Sequence, residues 1–531
     1  MMNDHTTPFE LADLAGELAE ARTRGMIWAV LAGAAPDNMA IVSGAGDRTF
    51  GELNANANRL ARALVARGLE PGDSVALLSS NRPEFAEAFG AVNRAGFRIT
   101  PINFNLTGGE VAYIVDDCDA KAFLTEPRVA EAARHAAEET GVAVRLAFGG
   151  AIDGFESYED ALAAESAEDV DGIAGGFMLY TSGTTGRPKG VARASQSPYP
   201  IFQPLTDAAA FRPGRDAMLC TGPVYHAAPL NLNMMLGLNG GVTAVLMDKW
   251  DAEETLRLID RHGVSHTHVV PTMLYRMLNL ADAVKEKYDV SSLRWVLHGA
   301  APCPVDVKRR TIDWLGPVLW EYYAATEGGG CIIDSDDWLQ RPGSVGQPAP
   351  GSSVAIHDDD GHVLPPGEVG TIYLKTPPQN SFVYHKDPEK TAAAHRGGAF
   401  TLGDMGRVDG DGYVYLTGRN AETIISGGVN IYPSEVDDVL MLHLAVHDTA
   451  TVGVPDQEWG EAVRGVVELA PGFAPSDDLA AELIAHCRDR LANFKCPRAI
   501  DFADDLPRLP TGKIQRGRVR APYWEDEIKS I

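Results

Sequence analysis

The chain has 531 residues, too many for a single hydrophobic core, so two or more domains are expected. Its 45% apolar and 22% charged content is that of a soluble globular enzyme. With 46 basic against 73 acidic residues the net charge is −27, which disfavours nucleic acid and anionic membrane as partners and leaves anionic ligands to be held by local donors. Six cysteines (118, 220, 303, 331, 487 and 496) form no CxxC pair and read as reduced thiols. Residues 1–25 have no basic segment leading into a hydrophobic one, and no apolar run approaches the length of a bilayer span. The expectation is a cytoplasmic protein.

In chain order, residues 9–34 repeat apolar positions at helical spacing (Leu11, Leu14, Leu18, Ala21, Trp28, Leu31). Residues 56–67 form an Ala/Leu/Arg-rich helix. Gly72-Asp73-Ser74 has the composition of a phosphopantetheine attachment site, but it opens the apolar run 75–78 and reads as a turn before a buried strand. Helix and strand alternate through 56–125, the pattern of βα units around a largely parallel sheet. Residues 176–180 read as a further strand. It leads into Thr181-Ser182-Gly183-Thr184-Thr185-Gly186-Arg-Pro-Lys189-Gly190, where glycines allow close backbone approach to an anion, hydroxyls donate and Lys189 supplies charge. This is a phosphate cradle but not a Walker A loop, because no Ser or Thr follows the lysine.

Beyond it, His226 follows the apolar stretch 217–220 and precedes a small-residue helix, a placement suited to lining a pocket. His262, His266 and His268 do not have zinc-ligand spacing, and the latter two fall in an alternating strand, 264–270. Residues 295–302 read as a strand entering a glycine turn, and 318–322 as another ending in Tyr323-Ala324-Ala325-Thr326-Glu327. Residues 343–419 are rich in short β runs. Their Asp-rich turns at 358–361 and 409–412 lack EF-hand spacing and read as hairpins. From 420 the character changes: a glycine loop at 427–428, an acidic helix start at Ser434, and Leu479, Leu483, Cys487 and Leu491 on one helical face behind Ser476.

Taken together these stretches resemble the adenylate-forming superfamily in its acyl-CoA synthetase branch, nearest to actinobacterial fatty-acid, steroid-acid or bile-acid CoA ligases. The resemblance runs from residue 48 to 516 and is most specific in the phosphate loop, Thr326-Glu327, Asp404, Arg419 and Gly512-Lys513. It implies an α/β fold: a large multi-subdomain N-terminal domain (1–419), with two parallel-type sheets, helices and a small β-barrel-like part, and a small mobile α+β lid (420–531). It implies a carboxylic acid, ATP, Mg²⁺ and CoA as ligands, no nucleic acid, and allows a homodimer. The implied reaction is acyl-AMP formation with release of pyrophosphate, then transfer of the acyl group to CoA. The alternatives are loading of a separate carrier protein, or one half-reaction only.

By the same resemblance, Lys189, Thr326, Glu327 and Lys513 are catalytic, with Glu327 holding Mg²⁺. The nucleotide is expected on Thr181, Ser182, Gly183, Thr184, Thr185, Gly299, Ala300, Ala301, Tyr322, Tyr323, Ala324, Asp404 and Arg419. The acyl pocket is expected around His226, Ala227, Gly299, Ala324 and Gly328, whose small residues leave room for a bulky or long apolar acid. Gly427 and Gly428 would pass the pantetheine arm, Trp459 and Phe494 would clamp the CoA nucleotide, and Lys495 and Arg498 would meet its phosphates. Two positions depart from the family pattern: Ala324 where glycine is usual, and Ala421 where the hinge carries Asp or Lys.

Overall fold

The structure is a computed structural model that describes residues 7–181, 188–193, 200–300, 303, 305–358, 360–419, 424–431, 433–507 and 516–524. A first sheet runs Glu156–Ser157, Val144–Ala147, Ala120–Thr125, Ser74–Leu78, Arg98–Ile102, Gly176–Phe177, with every pairing parallel. Ser74–Leu78, its interior strand, is buried at every position, as a strand covered on both faces must be. The helix Phe50–Ala66 packs beside Pro83–Arg94. It starts at a capping box in which Thr49 and Glu52 satisfy each other's backbone N–H groups, and it buries Phe50, Leu53, Ala57, Leu60, Ala61 and Leu64.

The second sheet is the larger. Its strands Met39–Ser43, Thr243–Leu246, Ala217–Cys220, His266–Val269, Trp295–His298 and Leu319–Ala325 lie parallel in that order. Gly328–Asp334 then turns back against Leu319–Ala325, and the sheet continues antiparallel through Ser344–Pro348, Val414–Arg419, Asp404–Val408 and Gly370–Lys375. The run 176–180, expected as one strand, is divided. Met178 still donates its N–H to Ile99, but Leu179–Thr181 leaves the first sheet and pairs antiparallel with Lys189–Arg193, which pairs in turn with Phe382–Tyr384. The phosphate loop therefore joins two arms of a hairpin that set Lys189 opposite Thr181.

The C-terminal part has its own sheet: Ile424–Ser426, Val429–Ile431, Val446–Asp456 and Gly460–Leu469, with Ala499–Ala503 added parallel to the last. The helix Asp477–Arg488 is capped by Ser476, which accepts from the Leu479 N–H, and it buries Leu479, Leu483 and Cys487 against this sheet. All six cysteines are free thiols, and among the described residues no helix is long and apolar enough to cross a membrane.

His266 and His268 are strand residues in the interior, as the alternation implied. The His266 ring lies between Ser265 Oγ (2.8 Å) and the Ala209 carbonyl (2.7 Å). Burial holds His266 at a pKa of about 4, against the pull of the Ala209 carbonyl and Asp216. The unfolded chain, with an ordinary histidine pKa, therefore binds a proton that the folded one refuses. Stability conferred by the neutral ring is present above pH ~6.5 and is lost as pH falls towards 4. Urea unfolding across that window should show stability falling on the order of a few kcal/mol, and His266→Gln should flatten the slope.

Candidate active site

A cavity of about 690 Å³ opens beyond the carboxyl ends of the parallel strands in the second sheet. Its lining begins where those strands stop: Thr221 and His226 after Ala217–Cys220, Val270 after His266–Val269, Ala300 after Trp295–His298, and Ala324 to Glu327 at the end of Leu319–Ala325. Parallel α/β sheets put ligands at this edge because side chains and loops from several strands converge there. The lid closes the far side with Gly427, Gly428 and Val429.

One wall is polar. Glu327 is buried yet lines the cavity, and its Oε1 accepts the Tyr384 hydroxyl at 3.0 Å. Thr326 and Thr181 line the cavity beside it. Lys189 donates to Asp387 Oδ2 at 3.2 Å, and Asp387 Oδ1 caps the helix Pro388–Ala394 through the Lys390 N–H at 2.9 Å. The Tyr323 hydroxyl donates to the buried Asp404 at 2.7 Å, which fixes the angle of the ring, and Asp404 pairs across the sheet with Arg419. Ala300 holds φ +66°, a left-handed conformation costing an alanine about 1–2 kcal/mol. Such strain concentrates at functional sites.

The rest of the lining is largely apolar, with Leu179, Ile201, Phe202, Leu232, Met273, Ala227, Ala228, Ala324 and Ala325. His226 also lines the cavity, and desolvation lowers its pKa to about 4, so the ring is neutral at physiological pH. His268, likewise held near 4 by burial, meets the Tyr322 hydroxyl at 3.1 Å. Tyr322 lines the cavity, with its ring packed on Gly299. A Cβ on Gly299 would lie 2.5 Å from Tyr322 Cε1, which explains the glycine. Gly299 itself does not line the cavity, and Gly329 does so where Gly328 was expected. Behind the floor, Lys308 and Glu321 form a buried ion pair at 2.6 Å.

The lid seam departs from expectation at Lys495. Expected on the phosphates of CoA, its ammonium is instead buried between Glu110 of the body (3.0 Å) and Glu435 of the lid (2.5 Å), and these carboxylates raise its pKa against the cost of burial. Phe494 beside it packs against apolar cores on both sides of the seam. Trp459 lies against Gly427, where a Cβ would come within 2.5 Å of the indole. Trp459 is also flanked by two guanidinium groups, Arg276 of the body and Arg498 of the lid, each 4.7 Å from the ring centre, and Arg276 pairs with Glu458. Ser182, Gly183, Thr184, Thr185, Ala301, Ala421 and Lys513 lie outside the described residues. Sequence reasoning missed Tyr384, Lys390, Glu110 and Arg276, none of which stands in a motif it used.

Against known families, residues 29–384 match the AMP-binding enzyme model and residues 435–513 the AMP-binding enzyme C-terminal domain. A feruloyl-CoA synthase from an Amycolatopsis species is 34% identical over 92% of this chain and 96% of its own length. The long-chain-fatty-acid–CoA ligase FadD13 of Mycobacterium tuberculosis is 32% identical over 90% and 93%. Among solved structures, the amide bond synthetase McbA of Marinactinospora thermotolerans superposes with a TM-score of 0.81 at 30% identity, covering 92% of this chain and 97% of that one. The o-succinylbenzoate CoA synthetase MenE of Bacillus subtilis, 26% identical and covering 93% of this chain in both of two structures, gives 0.79 as a double mutant with the product analogue OSB-NCoA (98% of that chain). With the acyl-adenylate OSB-AMP it gives 0.62 (97% of that chain). The chain belongs to the AMP-binding enzyme family, in its acyl-CoA ligase branch. Enzymes of this branch are AMP-forming carboxylic acid:CoA ligases that use ATP, Mg²⁺ and CoA.

The Lys495 contacts make a direct prediction. Lys495→Met removes the ammonium that Glu110 and Glu435 share across the seam and should cost about 3–5 kcal/mol in urea unfolding. Glu110→Gln removes only the body-side charge, so it should leave the melting of the lid unchanged while accelerating tryptic cleavage between the two parts several-fold.

Proposed function

We propose that the chain activates a hydrophobic carboxylic acid with ATP and passes the acyl group to CoA. The observation that carries this reading is the single cavity, which brings together Glu327 and Thr326, a largely apolar lining with His226, and the lid glycines Gly427 and Gly428. A carboxylate oxygen attacks the α-phosphorus of ATP, the bond to the bridging oxygen breaks, and pyrophosphate leaves. A thiolate then attacks the acyl carbon and AMP leaves. The first step needs alignment and charge neutralisation more than covalent help from the protein.

In this reading Lys189, with residues 181–185, holds the departing phosphates, Asp404 takes the ribose hydroxyls, and Lys513 covers charge at the α-phosphate. Glu327 suits Mg²⁺, because a single cavity-facing carboxylate completed by phosphate oxygens is this ion's usual mode of binding; bound there, it would neutralise phosphate charge. Neutral His226 bounds the acyl end without drawing the substrate carboxylate away from the phosphorus. Gly427 and Gly428, at φ +58° and +79°, leave a passage free of side chains for pantetheine between body and lid. Trp459, Phe494 and Arg498 are assigned to its nucleotide end.

We place the domain boundary between 419 and 420, supported by the end of the second sheet at Arg419 and the start of the lid sheet at Ile424. The higher TM-score against the OSB-NCoA complex of MenE, 0.79 against 0.62, favours a lid set here for thioester formation. Adenylation then requires the lid to rotate and bring Lys513 to the cavity. Free, mostly buried cysteines favour the cytoplasm.

The test is a paired assay over fatty, aryl, steroid and terpenoid acids with ATP and Mg²⁺. One arm follows pyrophosphate release without thiol, and another follows acyl-CoA by mass spectrometry. Both signals on one acid are expected; pyrophosphate without acyl-CoA would overturn CoA as acceptor and favour a carrier-protein thiol. Likeness to an amide bond synthetase motivates a third arm with a primary amine. Lys513→Ala should lower adenylation by about 10²–10³ while sparing thioester formation from supplied acyl-AMP. Equal loss in both steps would refute its assignment.

A further inference from the structure

We propose that Lys390 is a phosphate-binding residue of the adenylation step, its ammonium taking the β- and γ-phosphates of ATP beside Lys189. The inference rests on the reading of this cavity as an ATP site. Lys390 lies in the first turn of the helix Pro388–Ala394, which Asp387 caps, and the same Asp387 carboxylate receives Lys189. One carboxylate thus fastens the helix to the strand that follows the phosphate loop and sets the backbone of Lys390 beside the Lys189 ammonium.

The two lysines are not equivalent. Lys189 has Asp387 as an ion-pair partner and does not line the cavity. Lys390 lines it alongside Glu327 and Thr326, with its ammonium 4.8 Å from the centre of the Tyr384 ring, the ring whose hydroxyl is donated to Glu327. Among the described residues no carboxylate lies within ion-pair distance of Lys390, because Asp387 turns its second oxygen to Lys189. Burial, followed by repulsion from Lys189, pulls the Lys390 pKa down to about 8, with Asp387 and Glu327 opposing. Two adjacent cations, one without a carboxylate partner and facing a cavity, form an arrangement that an incoming anion relieves. A polyphosphate fits because the wall also carries Glu327, whose carboxylate suits the cation that accompanies ATP. A carboxylate substrate would satisfy one ammonium and leave that acid unused.

The experiment uses the full chain and calorimetric titration with MgATP, pyrophosphate and AMP, in the wild type, Lys390→Met and Lys390→Arg. AMP lacks the β- and γ-phosphates and serves as the internal control. Lys390→Met should weaken MgATP and pyrophosphate by about 10–100-fold, the worth of one charge-assisted contact, and leave AMP within about twofold. Lys390→Arg should recover most of the loss. Equal weakening of all three ligands would mean that Lys390 only supports the fold, and unchanged MgATP affinity would mean that it touches no phosphate; either overturns the proposal. Failure of the wild type to bind MgATP would instead strike the ATP-site reading itself.

Discussion

Lys495 lies where a carboxylate of the body meets a carboxylate of the lid, and the closed form of the active site depends on that meeting. A buried ammonium is costly unless its charge is answered, and here Glu110 and Glu435 answer it from opposite sides of the seam. Such a contact adds little net stability over an apolar one, but it is specific about position, because removing the ammonium would leave two carboxylates facing each other across the seam. Held in this way, the lid contributes Gly427 and Gly428 to the lining of the cavity. The second contact, Arg276 against Glu458 and Trp459, is more exposed and correspondingly weaker.

The same logic explains how a chain of net charge −27 can hold anions. Lys390 lines the cavity, and Asp387 both receives Lys189 and caps the helix that carries Lys390. Elsewhere the cavity is kept neutral: desolvation strips the proton from His226 and His268, and Tyr322 meets His268. The left-handed Ala300 and the glycine pinned under Tyr322 show backbone conformation given over to the shape of the floor.

The local motifs were legible in the sequence because their chemistry is carried by consecutive residues. The phosphate loop, the βα alternation and the capped lid helix each follow from composition and spacing within a dozen residues or so, whereas Thr326 with Glu327 and Asp404 were marked by their resemblance to the superfamily's motifs. The two parallel-type sheets and the separate lid are what the family resemblance implied, and the βα alternation through 56–125 pointed independently to the first of them. What the sequence could not give was the partner of each charge. Lys495 looked like a ligand for phosphate because related CoA ligases clamp the nucleotide of CoA near this position, and only its distance to Glu110, 385 residues away, shows it to be a buried link. Tyr384 and Lys390 carried no local signal, since their meaning comes from Glu327 and Lys189 on other strands.

By itself, then, the sequence determined the kind of chemistry, because a phosphate cradle, an acidic residue after a threonine and an aspartate at a strand start are local arrangements of backbone and side chain. The tertiary structure alone decided which ammonium faces the cavity, which is spent on an ion pair, which tyrosine lies on the floor and how the lid is held. Those outcomes depend on desolvation and on contacts between strands far apart in the chain, and neither is encoded in any short window.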